Sequence, residues 1–332
     1  MKDLIRKLVE TTGPSGFEAE IRDLVQAEID PLVSEARVDA LGNLIARKGE
    51  KAADGLRIML SAHLDEIGVI ATHIDEMGFI RFTNIGGVHA STCIGGRVRF
   101  VGGARGVIQA ERLDPPDKIP SLDKLYIDVG ATSREDCPVK VGDVAGFERP
   151  FLDLGDRLVA KSMDDRIAVA VLVEVIRQLK DTPHELFFVF SVQEEVGTRG
   201  AITAAFGLDP DLGLAVDVTL TGDTPKSRFM EVCLGKGPAI KVRDSGMLAD
   251  PRLVDCMVQI AGRLQIPYQM EVLDGGSTDA RSIQVSRAGV PAGCLSIPCR
   301  YVHSPSEMVD YRDVQNAVRF LVEFLGGPIH LA

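Results

Sequence analysis

Two hydrophobic rhythms alternate along most of this chain. Leu4, Leu8 and Val9 share a helical stripe that Gly13-Pro14-Ser15-Gly16 interrupts, and helical spacing resumes over Phe17–Ile29. Asn43–Arg47 and Arg57–Ala62 read as strands. A helix is predicted from Asp164 or Asp165, either of which can cap it, to about Lys180, with Ile167, Val171, Val175 and Leu179 on one face. Leu186–Ser191 is predicted to be a buried strand, and Leu212–Val216 and Ala292–Ile297 are strand-like runs. Asp250–Leu264 reads as a helix with Pro251 in its first turn, and Tyr311–Leu325 as a closing amphipathic helix. Helices alternating with apolar strands predict an α/β fold with a mostly parallel sheet flanked by helices.

From about Gly68 to Pro150 the rhythm changes to short β-branched runs separated by glycine turns at Gly86-Gly87, Gly95-Gly96, Gly102-Gly103 and Gly142. Such spacing predicts a small barrel or sandwich. The expected organisation is a discontinuous α/β domain of residues 1–67 and 151–332, with an inserted small β-barrel domain of residues 68–150.

Composition narrows the function. At 332 residues the length suggests about two domains, and a hydrophobic content of 45% with mean hydropathy +0.10 fits a well-buried enzyme. No apolar run approaches the roughly 18 residues of a membrane span. The opening Met1-Lys2-Asp3-Leu4-Ile5-Arg6-Lys7-Leu8 mixes charges at helical spacing, so a cytoplasmic location is expected. The six cysteines are far apart with no C-x-x-C pair and are expected to be reduced. A net charge of −11 argues against a nucleic-acid partner.

The chemistry lies where the apolar runs stop. Leu186–Ser191 leads into Gln193-Glu194-Glu195, Ile58–Ala62 into His63 and Asp65, Leu212–Val216 into Asp217, and Ala292–Ile297 by a short loop into His303. Ligands of open α/β sheets bind outside the carboxyl ends of the strands, so these residues can converge. His63 and Asp65 sit two apart and project to the same side of an extended segment, which suits Asp65 to orienting a metal-bound imidazole. Two histidines with Asp164, Glu195 and Asp217 form a mixed nitrogen and oxygen set that suits zinc, cobalt or manganese. Five ligands exceed what one tetrahedral catalytic zinc needs and suit two ions about 3.5–4 Å apart. If their segment is extended, Glu194 and Glu195 project in opposite directions, one to metal and one to substrate.

His63-Leu-Asp65-Glu-Ile-Gly, Ser162-Met-Asp164-Asp-Arg, Gln193-Glu194-Glu195-Val-Gly-Thr-Arg-Gly-Ala, Asp217-Val-Thr-Leu-Thr-Gly-Asp-Thr-Pro and Arg300-Tyr-Val-His303-Ser-Pro together resemble the M42 family of dinuclear metallo-aminopeptidases. The resemblance covers almost the whole chain, including Leu234-Gly-Lys-Gly-Pro238 and Gly276-Ser-Thr-Asp-Ala280. It implies two divalent ions per subunit, with His63 and either Asp217 or Glu195 on separate ions, Asp164 bridging and His303 completing the second site. It further implies Glu194 as general base, Asp65 orienting His63, short peptides as substrates, and a homo-oligomer, either a dimer or a tetrahedral dodecamer. The inserted β domain is expected to make the subunit contacts.

Two other classes compete. A glycoside hydrolase, the label some of these relatives carry, needs two metal-free carboxylates about 5–9.5 Å apart, whereas here carboxylates accompany histidines. A non-catalytic metal-binding paralogue would be marked by loss of the base, yet Glu194 is present. His89 reads as a loop residue, and His73, His184 and His330 as structural or exposed. Gly275-Gly276-Ser277-Thr278-Asp279 is either a cradle for substrate backbone or a turn between strand and helix.

Overall fold

The computed structural model describes residues 1–112, 119–227 and 229–331. Its larger sheet runs, in spatial order, through Glu35–Val38, Leu44–Lys48, Glu185–Ser191, Arg57–His63, Leu212–Thr219, Ala292–Arg300, Glu307–Asp310, Arg157–Ala160 and Leu152–Asp153. Ala239–Arg243 and Gln269–Val272 branch off Ala292–Arg300. The four central strands, from Glu185–Ser191 to Ala292–Arg300, are mutually parallel, as the alternation of elements predicts, and antiparallel strands extend the sheet on both sides. A parallel centre explains the uninterrupted apolar runs, because both faces of these strands are covered. Ile58, Leu60, Phe188 and Phe190 enter the core under the helices Lys2–Glu10, Ala19–Ile29, Met163–Gln178, Pro251–Leu264 and Tyr311–Gly326. Their neighbours Ile45, Met59 and Val189 enter a second core under Arg199–Leu208 and Asp279–Gln284.

Six strands, Gly68–Ile74, Ile80–Ile85, Leu125–Asp128, Arg105–Ala110, Arg97–Phe100 and Val144–Glu148, close into a separate barrel around Val69, Phe82, Val98, Ile108 and Ile127. Closure leaves no free edge to pair with another chain.

Most predicted elements form within one or two residues of their expected ends, with three instructive differences. Regular helical angles begin only after Asp165, since Asp164 (φ −75°, ψ 102°) and Asp165 (φ −120°, ψ 27°) are non-helical. Neither aspartate caps the helix; both carboxylates turn toward the strand ends. The strand predicted to stop before Asp217 continues to Thr219, so Asp217 lies inside it. Gln193-Glu194-Glu195 is not extended: Gln193 has φ 56°, and the Gly197 and Thr198 amides donate to the Glu194 carbonyl in a turn.

Candidate metal centre

Parallel pairing aligns the strand ends. Ser191 pairs with His63, and the pair Ala215–Ser61 brings Asp217, two residues on, level with His63. His63 Nε2 lies 3.0 Å from Asp164 Oδ1, and His303 Nε2 lies 3.3 Å from Asp164 Oδ2 and 3.2 Å from Glu195 Oε2. Two groups of donor atoms result, His63 with Asp164 and Asp217, and Asp164 with Glu195 and His303; within each group the atoms lie within 4.8 Å of one another. Asp164 is common to both. Asp217 thus lies beside His63, and Glu195 beside His303. All five expected ligands therefore meet at one edge, opening on a cavity of about 450 Å³ that Glu194 also lines.

Asp65 is fully buried and acts as a hub. The His63 Nδ1 atom lies 3.4 Å from its Oδ1, the Ser15 hydroxyl donates to it at 2.6 Å, and the amides of Glu194 and Glu195 donate at 2.9 and 3.1 Å. By gathering both amides, it folds the Glu194–Glu195 segment into its turn, yet the two carboxylates still part: Glu194 Oε2 comes within 4.0 Å of His63 Nε2 while Glu195 reaches His303.

The electrostatics are those of a crowded acidic pocket. Burial pushes the carboxyls of Asp217 and Glu194 well above their ordinary range, and neighbouring carboxylates add to the rise in each. Burial acts on Asp164 in the same sense, but the hydrogen bonds to His303 and His63 outweigh it and hold this carboxyl low. Burial opposes the charged form of His303, yet Asp164 and Glu195 raise its imidazole to about 11. A cation held by such groups displaces their protons. Among the described residues, Glu195 Oε1 and Asp165 Oδ1 are buried without a hydrogen-bond partner, a costly arrangement for carboxylate oxygens.

Further residues shape the site, of which Glu307 and Glu18 carry no signal in the sequence, while Asp165 and Asp279 read there only as a helix cap and part of a glycine-rich loop. Glu307 is buried and accepts from the Asp164 amide at 2.9 Å and the His303 amide at 2.8 Å, clamping the two segments that carry these candidate ligands together. Asp165 accepts from the His63 amide at 3.2 Å. Glu18 Oε1 accepts from the amides of Gly16 and Gln193 at 2.7 and 3.1 Å. Asp279 accepts from the hydroxyls of Ser61 and Ser191, both at 2.5 Å, stitching two central strands just below the site. Gly275, Gly276, Ser277 and Thr278 line the cavity, and Thr278 also caps the following helix, so both readings of this loop have a basis. His89 is exposed in its loop but lines the same cavity. At Gly87 in that loop a Cβ would fall 2.2 Å from His303 Nδ1, so only glycine fits there without displacing the imidazole. His184 is structural, bonded to the Leu56 amide and the Gly327 carbonyl.

A family model described as M42 glutamyl aminopeptidase matches residues 42–320. The chain belongs to this M42 family. It is 37% identical to a lysyl aminopeptidase of Pyrococcus furiosus over 96% of this chain and 94% of that one. Among solved structures, the aminopeptidase APDkam598 of the archaeon Desulfurococcus kamchatkensis superimposes with a TM-score of 0.94 at 40% identity, covering 98% of this chain and 94% of that one. The Pyrococcus horikoshii TET1 peptidase, whose structure is described as assembling into a tetrahedron or a large octahedral shell, superimposes with a TM-score of 0.86 at 32% identity, covering 98% of each chain. This M42 protein is thus an aminopeptidase, a peptide hydrolase of a metallopeptidase family, and its residues offer two groups able to hold a metal ion.

Proposed function

We propose that this M42 aminopeptidase is dinuclear and removes N-terminal residues from short peptides, with Glu194 as general base. The observation that carries the reading is the sharing of Asp164 by two ligand groups at the mouth of one cavity. His63, Asp164 and Asp217 would hold one divalent ion, and Asp164, Glu195 and His303 the other. The donor set fits such a pair: it is nitrogen and carboxylate throughout, it places several carboxylates out of water, and it leaves Glu195 Oε1 without a partner. Zinc or cobalt suits it best, and manganese is compatible. Bound there, two such ions would acidify a water and polarise the scissile carbonyl.

The chain's own groups supply the rest. The Glu194 carboxylate faces the cavity, where it takes the proton of the attacking water and returns it to the leaving amine. Asp65 holds the His63 ring at Nδ1, through its backbone carbonyl at 3.0 Å with its carboxylate 3.4 Å away, and its carboxylate accepts from the Glu194 amide, so a single buried residue sets the position of both a candidate ligand and the base. A free α-amine at a peptide N-terminus could bind one of these ions directly, which would favour substrate N-termini. Replacing Glu194 by Gln is the test: turnover of aminoacyl chromogenic substrates collapses while bound metal is kept. Full turnover in that variant contradicts the role of the base. Glucan cleavage that survives a chelator would instead support the glycosidase reading, whose two carboxylates act without metal.

The proposal extends to organisation: a catalytic α/β domain of residues 1–67 and 151–332, a β domain of residues 68–150 that makes subunit contacts, and a homo-oligomer. The shells described for the P. horikoshii TET1 peptidase support assembly of this kind. Among the described residues no helix is long and apolar enough to cross a membrane, which accords with the cytoplasmic location proposed.

A further inference from the structure

A second cavity, of about 580 Å³, lies where the barrel meets the α/β body, away from the candidate metal centre. Arg97, Arg99, Arg105, Arg149 and Lys161 line it, against the carboxylates of Glu10 and Glu148. So basic a lining is unexpected in a chain of net charge −11.

Strand register shows how the cluster is built. Arg97 and Arg99 lie two apart on one barrel strand and so share a face, and Arg99 stands directly opposite Arg105 on the neighbouring strand. Like charges in that position destabilise a sheet. Nearby acids answer only part of the charge. Arg105 donates to Glu148 at 2.8 Å and Arg99 contacts Glu20 at 3.4 Å, while Lys161 is satisfied by Glu66, Thr11 and Ser162. Among the described residues, Arg97 and Arg149 have no hydrogen-bond or ion-pair partner. Glu10, the other acid in the cavity, is engaged by the Phe151 amide.

We infer that this cavity binds a small oxyanion carrying two or more negative charges, held chiefly by the free guanidinium groups of Arg97 and Arg149. The volume lies in the range of small-molecule sites. Guanidinium forks bind phosphoryl and carboxylate oxygens in pairs, which a point charge cannot do. Concavity, with buried Lys161 in its lining, favours a small ligand over the flat acidic surface of another macromolecule. Phosphate esters and polycarboxylates share the required chemistry.

Calorimetric titration of the full-length, metal-loaded protein with inorganic phosphate, and separately with succinate, at constant ionic strength tests this. Saturable binding of one anion per chain is expected for at least one probe; phosphate alone identifies a phosphoryl site, and both together a site read by charge. The double variant R97Q/R149Q weakens binding about tenfold or more, with peptidase kcat/KM within about twofold of wild type because neither residue touches the metal centre. R97K keeps the charge, loses the fork and falls between. Three results overturn the inference: no saturable binding of either probe, equal affinity in R97Q/R149Q, or a change of oligomeric mass in R97Q/R149Q without anion binding, which would make this face a contact between copies.

Discussion

The carboxyl edge of the sheet and the outer face of the barrel hold charge in opposite ways. At the strand ends Asp65, Asp164, Asp165, Asp217, Asp279 and Glu307 are all buried, with the imidazoles of His63 and His303 among them. On the barrel, Arg81 pairs with Glu111 and Arg105 with Glu148 in half-exposed contacts that water screens. A buried carboxylate without a counter-charge is costly, whereas a solvated ion pair contributes little. Pairs of this kind on the barrel need no further counter-charge. The sheet edge does, and the imbalance is the physical reason to expect divalent cations there.

Substitutions should follow that contrast. Glu194→Gln has the largest expected effect, a fall in kcat of about 10²–10⁴ with the fold retained, checked by steady-state turnover and circular dichroism. Glu307→Gln comes next. It keeps one acceptor oxygen and leaves the amide of Asp164 or His303 unpaired, so metal affinity should drop about 10–100-fold, measured by competition with a chromophoric chelator.

Glu18→Gln should act through pH. Burial, with the Asp65 carboxylate adding to it, raises the Glu18 carboxyl from an ordinary 4.5 to about 7. Between those values the folded chain holds a proton that the unfolded chain has lost, so this group's contribution to stability declines as pH rises through the window. Urea unfolding at about pH 5 and pH 8 should show the variant losing less stability than wild type, by up to roughly 3 kcal/mol. Equal losses would contradict the assignment. Smallest of all, Arg81→Gln on the barrel should change unfolding free energy by no more than about 1 kcal/mol.

What could be read from the sequence follows from the same contrast. Strands buried on both faces leave unbroken apolar runs, and a polar residue at or soon after the end of such a run is conspicuous, as His63, Glu195, Asp217 and His303 are. Glu307 gave no such signal. It opens a four-residue strand after Ser304-Pro305-Ser306 and looks like part of a polar loop; its role comes from bonding two amides brought together only by the fold. Glu18 reads as an ordinary polar position in the helical spacing of Phe17–Ile29 for the same reason. The turn at Glu194–Glu195 was hidden because Asp65, more than a hundred residues earlier, collects both amides. The glycine-rich middle segment announced a small β-barrel, which forms, but its six-stranded order and register depend on pairings that no local pattern encodes.

The most direct measurement is elemental analysis of metal bound per chain after exhaustive dialysis, for the wild type and Asp164→Asn side by side. Two divalent ions per wild-type chain, with both weakened together in the variant, are expected from a carboxylate common to both sites. One ion or none in the wild type, or loss of a single ion with the other held at full affinity in Asp164→Asn, would contradict a shared dinuclear centre.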